Sequence, residues 1–383
     1  AKITVFEKSG YVSYANCGLP YYIGGAITDP EELTLQTPES FKSRFQIDVR
    51  VRHEVTAVDT KEKTVKVKNL STGEEFEESY DKLILSPGAK PVKPSMTGVD
   101  TDRVFTLRTV EDTFRIHKFI AENDVKSAVI AGGGYIGLEM AENLTEKGIR
   151  VTIVQRPNQV MAPLDYDMAC QLHGLLRKKG ITLKFGSSVT GFEEKDSLIL
   201  TTLKDDEPLK SDLVILAIGV TPDTALAKDA GLALGIKGSI AVNERMETSA
   251  ADVYAVGDAV QVKNFVTGED ALISLAGPAN KQGRIAADNI CGLKSSYDGS
   301  QGSSVIKIFD MTAATTGINE KTAKQLGIDY DKVVLFPLSH AGYYPGALAM
   351  SMKVIYEKKT LRLLGAQIVG YEGVDKRSDV IAT

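Results

Sequence analysis

The sequence predicts an α/β protein in which buried parallel strands alternate with helices, followed by a separate domain with an antiparallel sheet. Short apolar segments alternate with helical patterns over residues 3–258, which is typical of a parallel sheet covered by helices. From about Ser303 onward, apolar and polar residues alternate in four segments, which favours antiparallel strands. A chain of 383 residues is too long for one ordinary core, so two or three domains are expected.

The individual elements have their own signals in the sequence. Residues 3–7 form an apolar segment that ends in Glu7, and residues 50–67 alternate β-branched and polar side chains, as in an antiparallel excursion. The remaining predicted elements are, in order, a buried strand over 83–88, a helical region over 103–124, a strand over 128–131, a turn over 132–137, a helix over 138–147, strands over 150–154, 213–219 and 252–258, and final strands over 305–309, 333–338, 350–356 and 362–369.

The overall composition is that of an ordinary globular protein, with 43% hydrophobic and 25% charged residues. A formal net charge of −5 without clustered Lys or Arg gives no reason to expect nucleic acid or an anionic membrane as a partner. No apolar run approaches the ~20 residues that span a bilayer, and no signal peptide opens the chain. We therefore expect a cytoplasmic protein with no nucleic-acid or membrane partner.

The three cysteines, at positions 17, 170 and 291, include no CxxC pair, so neither a disulfide framework nor a metal site is expected. Cys170 and Cys291 lie in helical patterns without special neighbours, which is typical of small buried hydrophobic residues. Cys17 lies instead in a polar, glycine-containing turn that opens a helix. A helix N-terminus there is expected to lower the pKa of the thiol and favour the nucleophilic thiolate.

Gly132, Gly134 and Gly137 form a G-x-G-x-x-G pattern between an apolar strand and a helix, with a second strand following within about thirty residues. In a dinucleotide site the first glycine permits the tight turn, the second lets the backbone approach a pyrophosphate, and the third lets helix and strand pack closely. The helix N-terminus then offers free N–H groups to the phosphates. The pattern predicts a nucleotide site, and the alternative is a glycine-rich turn without a ligand.

The second strand of this unit ends in Gln155 and Arg156, where an acidic residue normally binds the ribose 2′-hydroxyl. Gln155 can still bond to that hydroxyl, and Arg156 can meet a 2′-phosphate, so the sequence leaves NADH and NADPH both open. Glu7 ends a strand as the acid of a similar unit does, but no glycine turn precedes it. Taken alone, Glu7 is better explained as an exposed acid at the end of a strand.

Residues 11–25 read Tyr-Val-Ser-Tyr-Ala-Asn-Cys-Gly-Leu-Pro-Tyr-Tyr-Ile-Gly-Gly, with Ser13 and Cys17 in a Ser-x-x-x-Cys arrangement. This segment resembles the active site of coenzyme A-disulfide reductases and NAD(P)H-dependent persulfide reductases. They are a branch of the FAD-dependent pyridine nucleotide-disulfide oxidoreductases that uses a single redox cysteine. The resemblance continues at residues 76–89, at the glycine turn, at residues 253–258, and in the His-Ala-Gly-Tyr-Tyr-Pro-Gly segment at 340–346.

The resemblance implies two interleaved Rossmann-like dinucleotide-binding domains and a C-terminal α+β dimerisation domain with an antiparallel sheet. The FAD-binding domain would comprise residues 1–122 and 249–302, the NAD(P)H-binding domain residues 123–248, and an incomplete dimerisation domain residues 303–383. Compared with that family, the chain begins at the second strand of the FAD unit, without the flavin's own glycine turn. It also stops before a C-terminal tyrosine that the family uses.

The resemblance further implies sites for FAD and for NADH or NADPH. Glu7 would hold the adenosine ribose, residues 86–88 would lie near the flavin, and Asp258 would accept bonds from the ribityl chain, although Asp258 also suits a helix N-cap. The implied cofactor-binding residues are Glu7, Ser13, Asn16, Val55, Ser86, Pro87, Gly88, Arg108, Gly132, Gly134, Tyr135, Ile136, Gly137, Glu139, Gln155, Arg156, Gly219, Gly257, Asp258, Ala276, Gly277 and Pro278. The candidate substrate residues are Lys42, Arg44 and Asn280, although a solvated helix face explains Lys42 and Arg44 better.

In the implied reaction, electrons pass from NAD(P)H through FAD to Cys17, which reduces coenzyme A disulfide, a persulfide or a polysulfide. Without a partner cysteine, Cys17 must form a mixed disulfide with a small thiol such as coenzyme A, or a sulfenic acid. Tyr343 or Tyr344 of the second subunit in a homodimer would protonate the departing thiolate. Interface packing explains these tyrosines equally well.

Two other functions stay open at this point. The first is an NADH oxidase or peroxidase in which Cys17 cycles as a sulfenic acid. The second is a truncated, non-catalytic fragment that binds nucleotide only.

Overall fold

A five-stranded parallel sheet occupies the middle of the computed structural model, which describes all 383 residues. Its inner strands are short apolar segments that are buried on both faces, as parallel sheets covered by helices require, whereas the edge strand Thr182–Phe185 is only partly buried. In spatial order they are Val104–Phe105, Leu213–Leu216, Ser127–Ala131, Arg150–Gln155 and Thr182–Phe185. A three-stranded antiparallel sheet accompanies them, formed by Val189–Lys195, Leu198–Leu203 and Asp206–Ser211.

Segments that precede and follow this central sheet in the sequence form a second region. Thr4–Glu7 pairs in parallel with Asp48–Val51, and Leu83–Leu85 pairs in parallel with Val253–Ala255. The pairing of strands that are far apart in the chain is what an interleaved arrangement requires. The antiparallel strands of this region are His53–Asp59, Thr64–Asn69 and Glu75–Ser79 in one sheet, and the pairs Ser13–Tyr14 with Thr34–Gln36, Ala89–Pro91 with Val220–Pro222, and Val262–Lys263 with Asp270–Ala271.

Nine α-helices accompany the strands, and two of them begin with a capping box: Thr37 with Ser40, and Thr109 with Asp112. Numbered along the chain, the helices are α1 (Leu19–Gly24), α2 (Pro38–Phe45), α3 (Val110–Glu122), α4 (Tyr135–Glu146), α5 (Tyr166–Lys178), α6 (Ala225–Asp229), α7 (Ala276–Ile290), α8 (Glu320–Gln325) and α9 (Val374–Ala382). Short 3₁₀ turns cover Asn16–Gly18, Pro30–Leu33, Ile236–Gly238 and Gly257–Ala259. No helix is long and apolar enough to cross a membrane.

The final region is a five-stranded antiparallel sheet, as the alternating pattern predicts. In spatial order its strands are Ser304–Ile308, Met311–Gly317, Leu363–Gly370, Met350–Glu357 and Tyr330–Leu335. The strand Tyr330–Leu335 forms one edge, and five of its six residues are exposed. This sheet shares a core with the central region, because Ile306, Ile308 and Met311 pack in the same buried cluster as Leu138 and Ile153.

The fold class is confirmed, and the differences concern element boundaries. The predicted helix over 103–124 begins only at Val110, because Val104–Phe105 joins the central sheet beside Leu213–Leu216. The helix after the glycine turn begins at Tyr135 instead of Leu138. The strand predicted over 83–88 ends at Leu85, the only fully buried residue in it. The sequence also failed to indicate the strand Met311–Gly317, which is rich in Thr and Ala.

Candidate functional site

The three glycines of the G-x-G-x-x-G pattern have three different environments. A Cβ on Gly132 would lie 2.2 Å from the carbonyl oxygen of Ala217, and one on Gly137 would lie 2.1 Å from that of Gly132. Gly134 is the N-cap of α4, it carries no side-chain cap, and nothing lies within 4 Å of a Cβ placed there. The first and third glycines are therefore required by packing, whereas the second leaves open space at the free N–H groups of a helix.

Gln155 holds this turn from the end of the neighbouring strand. Its Oε1 accepts a hydrogen bond from the N–H of Gly133 at 3.1 Å, and its Nε2 donates to the carbonyl of Gln159 at 3.1 Å. The side chain thus positions the turn, a role that the sequence did not indicate. Arg156, the next residue, is exposed and forms no ion pair within the chain, so its guanidinium is available to a ligand.

A second turn lies where two other parallel strands end. Ser86, Pro87 and Gly88 follow the strand Leu83–Leu85, and Gly257 and Asp258 follow its partner Val253–Ala255. Nη2 of Arg108 donates to Oδ2 of Asp258 at 2.8 Å, and the same nitrogen lies 3.6 Å from a Cβ placed on Gly88. The predicted positions 88, 108 and 258 therefore come together at the carboxyl ends of parallel strands, the usual position for a nucleotide.

The alternative role of Asp258 as a helix N-cap is wrong. Asp258 lies inside the 3₁₀ turn Gly257–Ala259, whose N-cap is Val256, and its carboxylate bonds to Arg108 instead of to a backbone N–H. The N–H of Gly257 donates to Oε1 of Gln282 on α7 at 2.7 Å. Sequence reasoning missed Gln282, because its amide is recognised only by its burial in the folded chain.

The N-terminal segment lies near Arg108, the residue that bonds to Asp258 of this turn. Glu7 ends its strand, and its Oε1 accepts from the N–H of Ser9 at 2.7 Å. The N–H of Gly10 donates to Glu111 at 3.1 Å. Burial raises the pKa of the Tyr14 hydroxyl, and the nearby Arg108 guanidinium opposes that rise. Tyr14, in the same short strand as Ser13, therefore lies within electrostatic range of Arg108.

Cys17 is exposed in the 3₁₀ turn Asn16–Gly18, directly before α1. Helix α1 packs tightly on α4, because a Cβ on Gly24 would lie 2.0 Å from Oδ1 of Asn143. Nδ2 of Asn143 in turn donates to the carbonyl of Glu139 at 2.8 Å. This packing brings the redox candidate next to the helix that begins at the nucleotide turn.

The expected lowering of the Cys17 pKa is wrong for this chain. The surrounding protein restricts hydration of the thiol although the residue is exposed, and this desolvation together with the Glu139 carboxylate raises its pKa. Helix α1 is only six residues long, with a correspondingly small terminal charge to oppose them. Burial and Glu139 thus both favour the neutral thiol of Cys17 over the thiolate.

An acidic pair on α4 lies beside Cys17. Burial and the neighbouring Glu142 raise the pKa of Glu139 to about 7. Oε1 of Glu142 accepts from the N–H of Phe309 at 2.8 Å, while its Oε2 is buried without a partner. Burial, Glu139 and Glu142 also raise the pKa of Tyr21 on α1 to about 12. Glu139 was predicted as a cofactor residue, and its electrostatic contact with Cys17 is new.

The expectation that Cys170 and Cys291 are buried is wrong, since both are exposed. Cys170 lies on α5, whose buried face is formed by Met168, Ala169 and Leu172. Cys291 is the C-cap of α7, where the chain leaves the helix.

The other predicted residues are spread over several elements of the chain. Tyr343 and Tyr344 lie in a turn of the final region with exposed fractions of 93% and 67%. Lys42 and Arg44 lie exposed in the last turn of α2, with Arg44 over the ring of Phe45. The remaining predicted positions are Asn16 beside Cys17, Val55 in the strand His53–Asp59, Tyr135 and Ile136 in the first turn of α4, Gly219 after the strand Leu213–Leu216, and Ala276, Gly277, Pro278 and Asn280 at the start of α7.

The chain belongs to the pyridine nucleotide-disulphide oxidoreductase family. Residues 1–283 match the family's model of that description, and residues 303–383 match its dimerisation domain. The family and the fold class predicted from the sequence are therefore confirmed.

Particular relatives show where in the family the chain lies. A coenzyme A disulfide reductase of Staphylococcus haemolyticus is 37% identical over the whole chain, which covers 85% of that protein. The solved structure of reduced CoADR-RHD from Bacillus anthracis is 49% identical with a TM-score of 0.97, and the chain covers 68% of it. An NAD-dependent persulfide reductase from A. fulgidus is 37% identical with a TM-score of 0.96; the alignment includes 99% of this chain and 71% of that one.

Proposed function

We propose that the chain is the working part of a reductase that passes electrons from NADH or NADPH through FAD to Cys17, and so reduces disulfides or persulfides of a small thiol of the coenzyme A class. The observation that carries this proposal is the position of Cys17. Its thiol is exposed, α1 packs on the helix that begins at the glycine turn, and the other two cysteines lie on distant helices. The named relatives support the same chemistry.

The glycine turn would hold the pyrophosphate of the nicotinamide nucleotide. Open space at Gly134 and uncapped N–H groups at the start of α4 suit an anionic ligand. Gln155 carries no charge, so it would not repel a 2′-phosphate as a carboxylate at that position would. Exposed Arg156 can pair with such a phosphate, and the proposal therefore allows both NADH and NADPH.

The second turn would hold FAD. Asp258 offers acceptors to sugar hydroxyls, Arg108 offers donors, and Gly88 and Gly257 have positive φ angles of 71° and 81° that keep the backbone open there. The acceptors of Asp258 suit the hydroxyls of a neutral polyol chain, and the guanidinium of Arg108 suits a charged phosphate beside it. When bound, this cofactor supplies the transfer of two electrons between the nicotinamide and a sulfur atom.

Cys17 would carry the sulfur chemistry in two steps. The Cys17 thiolate attacks a disulfide R–S–S–R, which forms a Cys17–S–S–R bond, breaks the original S–S bond and releases one thiolate. Two electrons and one proton then cleave the mixed disulfide to the Cys17 thiolate and a second thiol. In sum, one disulfide, one NAD(P)H and one proton give two thiols and NAD(P)⁺.

The departing thiolate needs a proton, and an exposed tyrosine can donate it. Tyr343 and Tyr344 project from the final region and lie in a turn before Pro345 and Gly346. We propose that one of them serves Cys17 of the second subunit in a homodimer. Their exposure in the single chain and the match of residues 303–383 to a dimerisation domain support this arrangement.

Substitution of the cysteine tests the proposal. Cys17→Ser should abolish reduction of coenzyme A disulfide, while flavin absorbance should still bleach when NADH is added. Cys170→Ser, which changes another exposed cysteine, is the matched control and should retain full turnover. Undiminished disulfide turnover in Cys17→Ser would overturn the mechanism.

Two further measurements separate the other functions. Intact-protein mass spectrometry of the purified chain should show a small thiol attached to Cys17, whereas a sulfenic acid with rapid oxygen consumption would indicate an oxidase or peroxidase. A colourless protein without flavin would indicate a non-catalytic fragment.

A further inference from the structure

A fully buried lysine lies where the final region meets the central one. Lys353, in the strand Met350–Glu357, is 0% exposed. Its Nζ lies 2.8 Å from Glu320 on α8, 2.6 Å from Asp167 on α5 and 3.4 Å from Asp165. Burial alone would lower the pKa of Lys353, but the bonds to Asp167 and Glu320 outweigh it and raise that pKa. The lysine is therefore a permanent cation facing three carboxylates.

Two of those carboxylates belong to the central region, and Asp165 ends the loop that follows the second strand of the nucleotide unit. We call residues 156–165 the flanking loop. Oδ1 of Asp165 accepts from the N–H of Glu320 at 3.1 Å, and Gln367 bonds to both its backbone N–H (2.6 Å) and its Oδ2 (2.7 Å). Nδ2 of Asn319 donates to the carbonyls of Ala162 and Pro163, each at 3.2 Å. The final region thus fixes one end of the flanking loop.

The other part of the flanking loop forms a wall of the nucleotide turn. The N–H of Met161 donates to the carbonyl of Gly133 at 2.8 Å, and a Cβ on Gly133 would lie 2.7 Å from Val160. Gln159 connects the two parts, because its Nε2 donates to the carbonyl of Leu164 at 2.9 Å while its own carbonyl accepts from Gln155. The flanking loop therefore holds the carbonyl of Gly133 directly. The N–H of Gly133 is held by Gln155, whose side chain the loop orients.

We propose that Lys353 is a positioning residue for the nicotinamide-nucleotide site, acting through Asp165 and the flanking loop on the Gly132–Gly137 turn. The final region would then set nucleotide affinity as well as subunit association. This inference rests on the proposed nucleotide site, and it assigns a function to a residue that lies in the last domain and touches no ligand.

The electrostatics explain why Lys353 in particular has this role. Without its charge, the poorly hydrated carboxylates of Asp165 and Glu320 would face each other, with the exposed Asp167 nearby, and the loop end would be driven away from α8. Glu320 has two other partners, Nζ of Lys332 at 2.7 Å and the hydroxyl of Tyr330 at 2.8 Å, but neither of them contacts Asp165. Lys332 is also exposed, with 41% of its side chain accessible. Lys332→Met is therefore a matched control that removes a lysine from the same cluster without touching the loop.

The test measures binding of ADP-ribose, which carries the pyrophosphate and ribose and withstands acid, to the flavin-loaded protein by calorimetry. Lys353→Met should raise the dissociation constant about tenfold at pH 8, within the usual range of coupling between two parts of a protein. Lys332→Met should change it less than about twofold. Burial favours the protonated form of Glu320, but the bonds from Lys332 and Lys353 hold its pKa down to about 2. In a Lys353→Met protein one of these bonds is lost, so Glu320 protonates at higher pH and the ratio to wild type should shrink towards pH 5.5. His173, which accepts from the N–H of Val160 at the loop, stays neutral there, since burial and then Arg177 lower its pKa to about 4.

Gln367→Ala keeps the test decisive if Lys353→Met does not fold. This substitution removes the hydrogen bonds of the uncharged Gln367 amide to Asp165 and leaves Lys353 and the three carboxylates in place. It should raise the dissociation constant of ADP-ribose about threefold. Folded Lys353→Met and Gln367→Ala proteins that bind ADP-ribose as wild type does would overturn the inference, provided that Gly134→Val loses binding. If Gly134→Val also binds normally, the proposed nucleotide site itself is wrong.

Discussion

The nucleotide turn and the Cys17 turn lie on two packed helices, yet they are determined in different ways. The turn at Gly132–Gly137 is specified locally, since two of its glycines are required by contacts under 2.5 Å with a strand end or with each other. The Cys17 turn has no such requirement, and the pKa of its thiol is set by burial and by Glu139, which lies on another helix and far along the chain. A motif therefore identifies the tight backbone of the first site, and only the reactive atom of the second.

The largest effect is expected from the local site. Gly134→Val places a branched side chain in the space where a pyrophosphate approaches, while a Cβ at this position meets no protein atom within 4 Å. We expect at least a hundredfold loss of NADH affinity with a melting temperature close to wild type. Calorimetry and thermal unfolding check both parts. Unchanged affinity in a folded protein would show that the turn binds no phosphate.

The matched variant is Gly137→Val, because its Cβ would lie 2.1 Å from the carbonyl oxygen of Gly132. That substitution should lower stability strongly, in contrast to Gly134→Val. Equal stability of the two variants would break the distinction between a packing glycine and a ligand glycine.

The second expected effect concerns how far the Cys17 site extends. If Tyr343 or Tyr344 serves the partner's cysteine, one of the two sites in a mixed dimer carries both intact halves. Mixing Cys17→Ser chains with Tyr343→Phe/Tyr344→Phe chains should then restore activity, although each parent is inactive. Each mixed dimer should have up to about half of the activity of a wild-type dimer. Native mass spectrometry shows whether mixed dimers form. Mixed dimers that are as inactive as the parents contradict the cross-subunit assignment.

A smaller effect is expected from Glu139. Its carboxylate raises the pKa of the Cys17 thiol, so Glu139→Gln should lower that pKa and increase the thiolate fraction near neutral pH. The rate of Cys17 alkylation by iodoacetamide at pH 7.5 should rise about threefold, the size expected for one like charge acting through partly hydrated protein. The pH profile should lose the inflection near pH 7 that reflects Glu139 itself.

Glu146→Gln is the control for this experiment, since Glu146 is an exposed acid on the same helix and does not affect the Cys17 pKa. An identical alkylation profile for wild type and Glu139→Gln would show that the two groups are not coupled.

The same division explains what the sequence predicted. Strand and helix periodicity, the three glycines and the segment around Cys17 are local signals, and they were sufficient for the fold class and the family. Gln155 was noticed for its missing charge, but its bonds to Gly133 and Gln159 depend on the path of a loop. Gln282 and Glu139 act on residues that lie far from them in the sequence, so no local pattern could indicate those contacts.

The smallest expected effect returns to the nucleotide turn and concerns which nucleotide it prefers. Arg156 is exposed and unpaired, so no ion pair has to break before its guanidinium turns to a 2′-phosphate. Arg156→Ala should weaken NADPH about twofold through loss of one exposed charge-assisted contact, and should leave NADH affinity unchanged. Arg150→Ala, at the opposite end of the same strand, controls for a general loss of positive charge and should affect both nucleotides equally. An equal effect of Arg156→Ala on NADH and NADPH would remove the 2′-phosphate role. Selectivity would then depend on the uncharged Gln155 alone, and Gln155→Glu should discriminate against NADPH by repulsion.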